Sequence, residues 1–162
     1  MELDQQLRTH LAELLRGGNA HMPISEAVAD FPNAMINARP ANIDYTFWHL
    51  LEHLRITQND ILTYMTELTY QEIEWPRDYW PAKDATATRA EWNETIAALN
   101  RDLEQIVAMV ENPSVNLLST VPSNNEHTVL REVLIVADHN AYHIGELGIL
   151  RQVENAWGKE HK

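Results

Sequence analysis

The chain has no cysteine. That absence removes disulfides, thiolate metal ligands and a cysteine nucleophile together, and it fits a reducing, cytoplasmic setting. Positive charge is also scarce: Lys and Arg number 12 against 24 Asp and Glu, a formal charge of −12. Such a surface repels phosphate backbones and anionic lipid, so no nucleic-acid partner and no membrane partner is expected. No apolar run approaches the roughly 18 residues of a membrane span. The opening Met1-Glu2-Leu3-Asp4-Gln5-Gln6 has neither the basic nor the apolar region of a secretory leader. Glycine is rare, 5 in 162 residues, and forms no phosphate-cradling loop or nucleophile elbow. Strand alternation and tandem repeats are missing too.

What is present is a helical pattern on a chain long enough to bury one core, read as a single domain over residues 1–162. Residues 2–16 carry Leu3, Leu7, Leu11, Leu14 and Leu15 at helical spacing, stopped by Gly17-Gly18. A proline-punctuated connection follows, in which Ser25 is placed to cap a turn over Glu26 to Asp30. Its lone His21 reads as structural or exposed. The second long helix is expected from Ile43 to Leu68, with Phe47, Leu51, Leu54, Ile61, Met65 and Leu68 on its apolar stripe and Gln58 interrupting it. His49 and His53 fall beside that stripe.

The stretch Glu74-Trp75-Pro76-Arg77-Asp78-Tyr79-Trp80-Pro81 cannot continue a helix, yet is too apolar for a free linker. It reads as an ordered loop that either plugs the core or walls a pocket. Thr88-Arg89-Ala90-Glu91 is a capping-box pattern opening a third helix, which Asn112-Pro113 ends. Thr128 is placed to cap a last helix that runs to about Val153. Leu130, Leu134, Ala137, Ala141, Ile144 and Gly148 form one stripe of it, and Val136, His143, Leu147 and Leu150 another. A helix apolar around that much of its girth should be buried on two sides, one of them a subunit contact. Ala141, Gly145 and Gly148 would allow close approach of a neighbouring backbone, which points to a homodimer. The fold class that results is all-α: a four-helix bundle with elaborated connecting loops.

Two His-x-x-x-His pairs stand on different helices, His49/His53 and His139/His143. Histidines one turn apart can grip one ion, and neutral imidazole suits zinc and its neighbours. A bundle can build such a site from facing helices at matching depth. Spacing alone leaves this level with the alternative that the rings satisfy buried hydrogen bonds or lie in solvent. Asn140 follows His139 where a zincin would need Glu, and no Glu-x-x-His set for a di-iron centre is present.

The segments Leu50-Leu51-Glu52-His53-Leu54-Arg55-Ile56, Asp78-Tyr79-Trp80-Pro81 and Asp138-His139-Asn140-Ala141-Tyr142-His143-Ile144-Gly145-Glu146-Leu147 resemble those of the DinB/YfiT-like superfamily. These are damage-inducible helical proteins, unrelated to the polymerase that shares the name. The resemblance implies one divalent metal, typically zinc or nickel, held by His53, His139 and His143. His49 matches no usual ligand position and is left as a fourth ligand, a partner behind the ligands or a surface residue. Members of the superfamily often dimerise. They include thiol-dependent S-transferases and isomerases, and others are labelled metal-dependent hydrolases.

An ion on three neutral histidines keeps its full charge and an open position, suited to activating water or a low-molecular-weight thiol against a small-molecule substrate. Glu146, three residues past His143, is the candidate catalytic carboxylate, as orienter or proton acceptor. Arg55, Arg131 and Arg151 could hold an anionic substrate or serve only as ion pairs. The alternative to an enzyme is a noncatalytic, stress-associated bundle pinned by its metal.

Overall fold

The computed structural model describes residues 3–158. It is all-helical: five α-helices and one 3-10 turn, with no strand among the described residues beyond an isolated bridge between Thr120 and Thr128. The helices are α1 (Leu3–Arg16), α2 (Ile24–Ala27), α3 (Phe47–Thr66), α4 (Arg89–Glu111) and α5 (Val129–Val153). Each of α1 and α3 packs against both α4 and α5, and the short α2 rests on α5. No helix is long and apolar enough to cross a membrane.

The caps decide most boundaries. Thr88 Oγ1 accepts from Glu91 N while the Glu91 carboxylate accepts from Thr88 N, a complete capping box that starts α4. Thr128 Oγ1 accepts from Arg131 N and starts α5. In α3 the cap is Thr46, accepting from His49 N, so the helix begins four residues after the expected Ile43. It also ends earlier, at Thr66, leaving Leu68 exposed. In α2 the helix starts at Ile24 behind Pro23 with no side-chain cap, not behind Ser25. Gly17 and Gly18 take φ of 73° and 87° and turn the chain out of α1, whose expected first residue lies outside the described range.

Burial departs from the expected stripes on α1 and α5. Leu3, Leu7 and Leu14 are exposed, while Arg8 is buried beside Leu11, Ala12 and Leu15. The reason is polar: the Arg8 guanidinium donates to the carbonyls of Val110, Asn112 and Val115, satisfying the open C-terminal end of α4. On α5 Leu134 is exposed, and the buried line runs through Val129, Val133, Val136, Asn140, Ile144, Leu147 and Arg151.

The apolar interior falls into two clusters. One holds Leu11, Leu62, Ile106, Val110, Val133 and Val136, the other Phe31, Phe47, Leu51, Trp92, Ile144 and Leu147. At the level between them Gln58 donates to the Leu99 carbonyl (2.6 Å) and accepts from Asn140 Nδ2 (2.8 Å). The interruption at Gln58 is therefore a buried polar rung joining α3, α4 and α5. Arg151 is wholly buried: it donates to the carbonyls of Ala27, Ala29 and Ala156 and lies against the rings of Phe31 and Trp157. It ties the proline-rich connection to the end of α5, so it holds no substrate.

Candidate metal centre

His53 points from α3 toward α5, where His139 and His143 stand one turn apart on a single face. The three rings meet. One ligand-capable atom from each lies within 4.8 Å of the others, the only such group of His, Asp or Glu among the described residues. Ring centroids are 5.0 Å apart for His53/His139, 4.8 Å for His53/His143 and 4.6 Å for His139/His143.

The far side of two rings determines which nitrogen faces the centre. His53 Nδ1–H donates to the Tyr79 carbonyl at 2.8 Å, which leaves Nε2 with its lone pair directed inward. His143 Nδ1–H donates to Glu146 Oε2 at 2.7 Å, with the same consequence. His139 Nε2 lies 3.2 Å from His53 Nε2. Hydrogen-bonding the distal nitrogen to a carbonyl or carboxylate is how metal-binding histidines are held in tautomer and orientation.

Glu146 is itself fixed, since its Oε1 accepts the Tyr45 hydroxyl. Burial disfavours its charge, but the hydrogen bonds from His143 and Tyr45 outweigh that and hold the carboxyl below its ordinary range. Tyr45 is shifted the other way by burial and by that carboxylate, so its phenol stays protonated. Burial, then the proximity of His143 and His53, pushes His139 down to about 3. Burial likewise lowers His53, against the pull of the Tyr79 carbonyl. Neutral rings at neutral pH keep their lone pairs available.

The other expected participants lie elsewhere. His49 is buried, but it is not in the group: its Nε2–H donates to the Ala85 carbonyl at 2.9 Å, anchoring the segment before α4. Arg55 is paired with Glu52 at 2.7 Å, and Arg131 with Glu132. His21 Nδ1 bonds the carbonyl of Met22. The 74–81 loop combines both of its possible roles. Trp80 packs on the second apolar cluster and also stacks on His53, whereas Trp75 is exposed and plugs nothing. Tyr45 was not foreseen. It stands 101 residues from Glu146 in the chain, so no local spacing could have paired them.

A model of the DinB superfamily matches residues 19–147, a range that takes in all three histidines and Glu146. The chain belongs to the DinB superfamily. No curated protein and no solved structure matches it. In this DinB protein the donor set suits a divalent cation of borderline softness. It offers three imidazole nitrogens, two of them with their tautomers set from behind, and no carboxylate belongs to the group.

Proposed function

We propose that this DinB protein is a divalent-metal-dependent enzyme acting on a small molecule, either a hydrolase or a thiol S-transferase. In this reading His53, His139 and His143 hold one ion, zinc or nickel. The observation that carries it is the convergence of three imidazoles with no fourth ligand among the described residues: His49, the expected candidate for closing the site, is bound to Ala85 instead. Three protein ligands are the catalytic pattern, whereas structural sites are closed and four-coordinate. When bound, the ion supplies Lewis acidity, making a coordinated water or low-molecular-weight thiol acidic enough to react near neutral pH.

The protein's own groups do the rest. Tyr79 and Glu146 hold His53 and His143 in the orientation the ion requires, and both Glu146 oxygens are occupied in doing so. Glu146 thus serves as a positioning residue behind His143, keeping the proton on Nδ1. Trp80 covers one face of His53 and excludes water from it. The four long helices form a four-helix bundle in this reading, and two copies pair through the apolar residues that α5 leaves exposed.

The test is elemental analysis of the purified protein. It should carry close to one divalent metal per chain, and His139→Ala should lose it. A metal-free wild type would defeat the assignment. Metal-loaded protein is then screened against small thiols and electrophiles, and turnover that disappears in His139→Ala identifies the reaction class.

A further inference from the structure

Asp60 stands seven residues beyond His53 on α3, two turns or about 10 Å along the axis and on the same face. It is not one of the ligand-capable group. Each of its carboxylate oxygens is taken by a phenol. The Tyr70 hydroxyl donates to Oδ1 at 2.9 Å and the Tyr79 hydroxyl to Oδ2 at 2.7 Å. Both tyrosines belong to the connection between α3 and α4, so one carboxylate gathers two points of that connection onto the helix that carries His53. Both bonds are partly shielded from water, and an ionised acceptor makes them stronger than neutral ones.

What this clamp holds is the backbone at Tyr79 and Trp80. The Tyr79 carbonyl accepts His53 Nδ1–H at 2.8 Å, and the Trp80 indole stacks on the same imidazole. The connection is irregular here, with no ladder to fix it, so the tether through the Tyr79 side chain decides where that carbonyl sits. His53 also has a second acceptor within reach. Thr57 Oγ1, one turn further along α3, lies 3.4 Å from the same Nδ1. Turning Nδ1–H toward Thr57 would swing Nε2 away from His139, whose Nε2 it now meets at 3.2 Å.

We propose that Asp60 is a positioning residue for His53: by clamping Tyr79 it makes the Tyr79 carbonyl, and not Thr57, the partner of Nδ1–H. Nε2 is thereby kept aimed at His139 and His143. The consequence for an ion rests on the three-histidine reading of the site, whereas the hold of Asp60 on His53 does not.

Two measurements on the full chain separate these. In metal-free protein His53 Nδ1–H should give a slowly exchanging downfield proton resonance, assigned by its loss in His53→Gln. Tyr79→Phe, which removes a single oxygen, should shift or broaden that resonance, and so should Asp60→Ala. Tyr64→Phe should leave it in place, because the Tyr64 ring touches Tyr70 but its hydroxyl bonds His127. Zinc affinity, read by chelator competition, should fall about tenfold or more in Asp60→Ala and in Tyr79→Phe. The double variant should be no worse than the poorer single one, since both changes break the same tether. Asp60→Asn keeps one acceptor oxygen and should lose less, as should Tyr70→Phe, which leaves the Tyr79 tether intact. An unaltered resonance in Tyr79→Phe, or losses that multiply in the double variant, would overturn the proposal; where Asp60→Ala fails to fold, Tyr79→Phe decides alone. A wild type that binds no zinc, yet whose resonance responds to Asp60→Asn and Tyr79→Phe, would defeat the proposed function and uphold the role of Asp60.

Discussion

The imidazole of His53 lies flat against the indole of Trp80, with ring centroids 4.0 Å apart and planes 4° from parallel. The residue before Trp80 supplies the carbonyl that accepts His53 Nδ1–H, so one loop fixes both the face and the edge of the ring. That loop is pinned back to α3 where the Tyr79 hydroxyl donates to Asp60. His53 is therefore oriented by contacts made before any ion arrives, which lowers the cost of assembling the site. Trp80→Ala should keep the capacity for one metal per chain but weaken affinity about tenfold to a hundredfold. Competition against a fluorescent chelator measures this, and wild-type affinity in the variant would mean that the loop does not orient His53.

Glu146 offers a sharper separation of roles. Replacing it with Gln keeps the size of the side chain but removes the charge that favours a proton on His143 Nδ1. Glu146→Gln should still load metal at saturation, with affinity reduced by about tenfold, and it should lose turnover on any substrate found in the thiol and electrophile screen. Tyr45→Phe removes only the hydroxyl that steadies the carboxylate and should show a weaker form of the same defect. Full activity in Glu146→Gln would remove the carboxylate from the mechanism.

Protonation gives an independent readout. Burial and the two neighbouring rings take His139 from an ordinary 6.5 to about 3 in the folded protein. Between those values the unfolded chain binds the proton and the folded chain does not, so acid favours unfolding. Stability of the metal-free protein should hold above about pH 6.5 and fall as pH drops toward 3, with His53 and His49 shifted in the same sense. Urea midpoints of chelator-treated protein across this window measure the slope. Carboxylates also titrate there, so the decisive comparison is His139→Asn, which should flatten the slope. An unchanged slope would show that the ring is not held neutral by its surroundings.

Much of the fold was legible because local chemistry sets it. Thr88 with Glu91, and Thr128, announce the starts of α4 and α5 through bonds made within four residues. Errors arose where a distant partner overrides local pattern. Arg8 turns inward because the end of α4, over a hundred residues away in sequence, presents unsatisfied carbonyls, and this rotates α1 away from its leucine stripe. Gln58, Asn140 and Arg151 look like interruptions of apolar faces but are buried bridges. His53, two positions past Leu51 on the stripe, was the best third ligand for the α5 histidines; the resemblance strengthened it, and His49 stayed open. What separates the two rings is the 74–87 segment: it takes His49 with the Ala85 carbonyl and orients His53 with that of Tyr79.

The glycines of α5 bear on assembly, though not as their small size first suggested. Gly148 is buried within its own chain, where an added Cβ would meet the end of the Met22 side chain at 3.0 Å. Gly145 faces open space. Near it Leu134, Tyr142, Ile149 and Val153 are all exposed, 45%, 71%, 66% and 61%, at spacings that keep them along one side of the helix. In the proposed dimer this apolar stripe meets a second copy, with Gly145 admitting a close crossing. Light scattering should find a dimer for the wild type. Ile149→Glu should be a monomer with unchanged helix content and metal loading, because Ile149 touches neither the core clusters nor the histidines. A wild type that is monomeric at about 100 micromolar, well above the dissociation constant of a stable dimer, would refute pairing through this face.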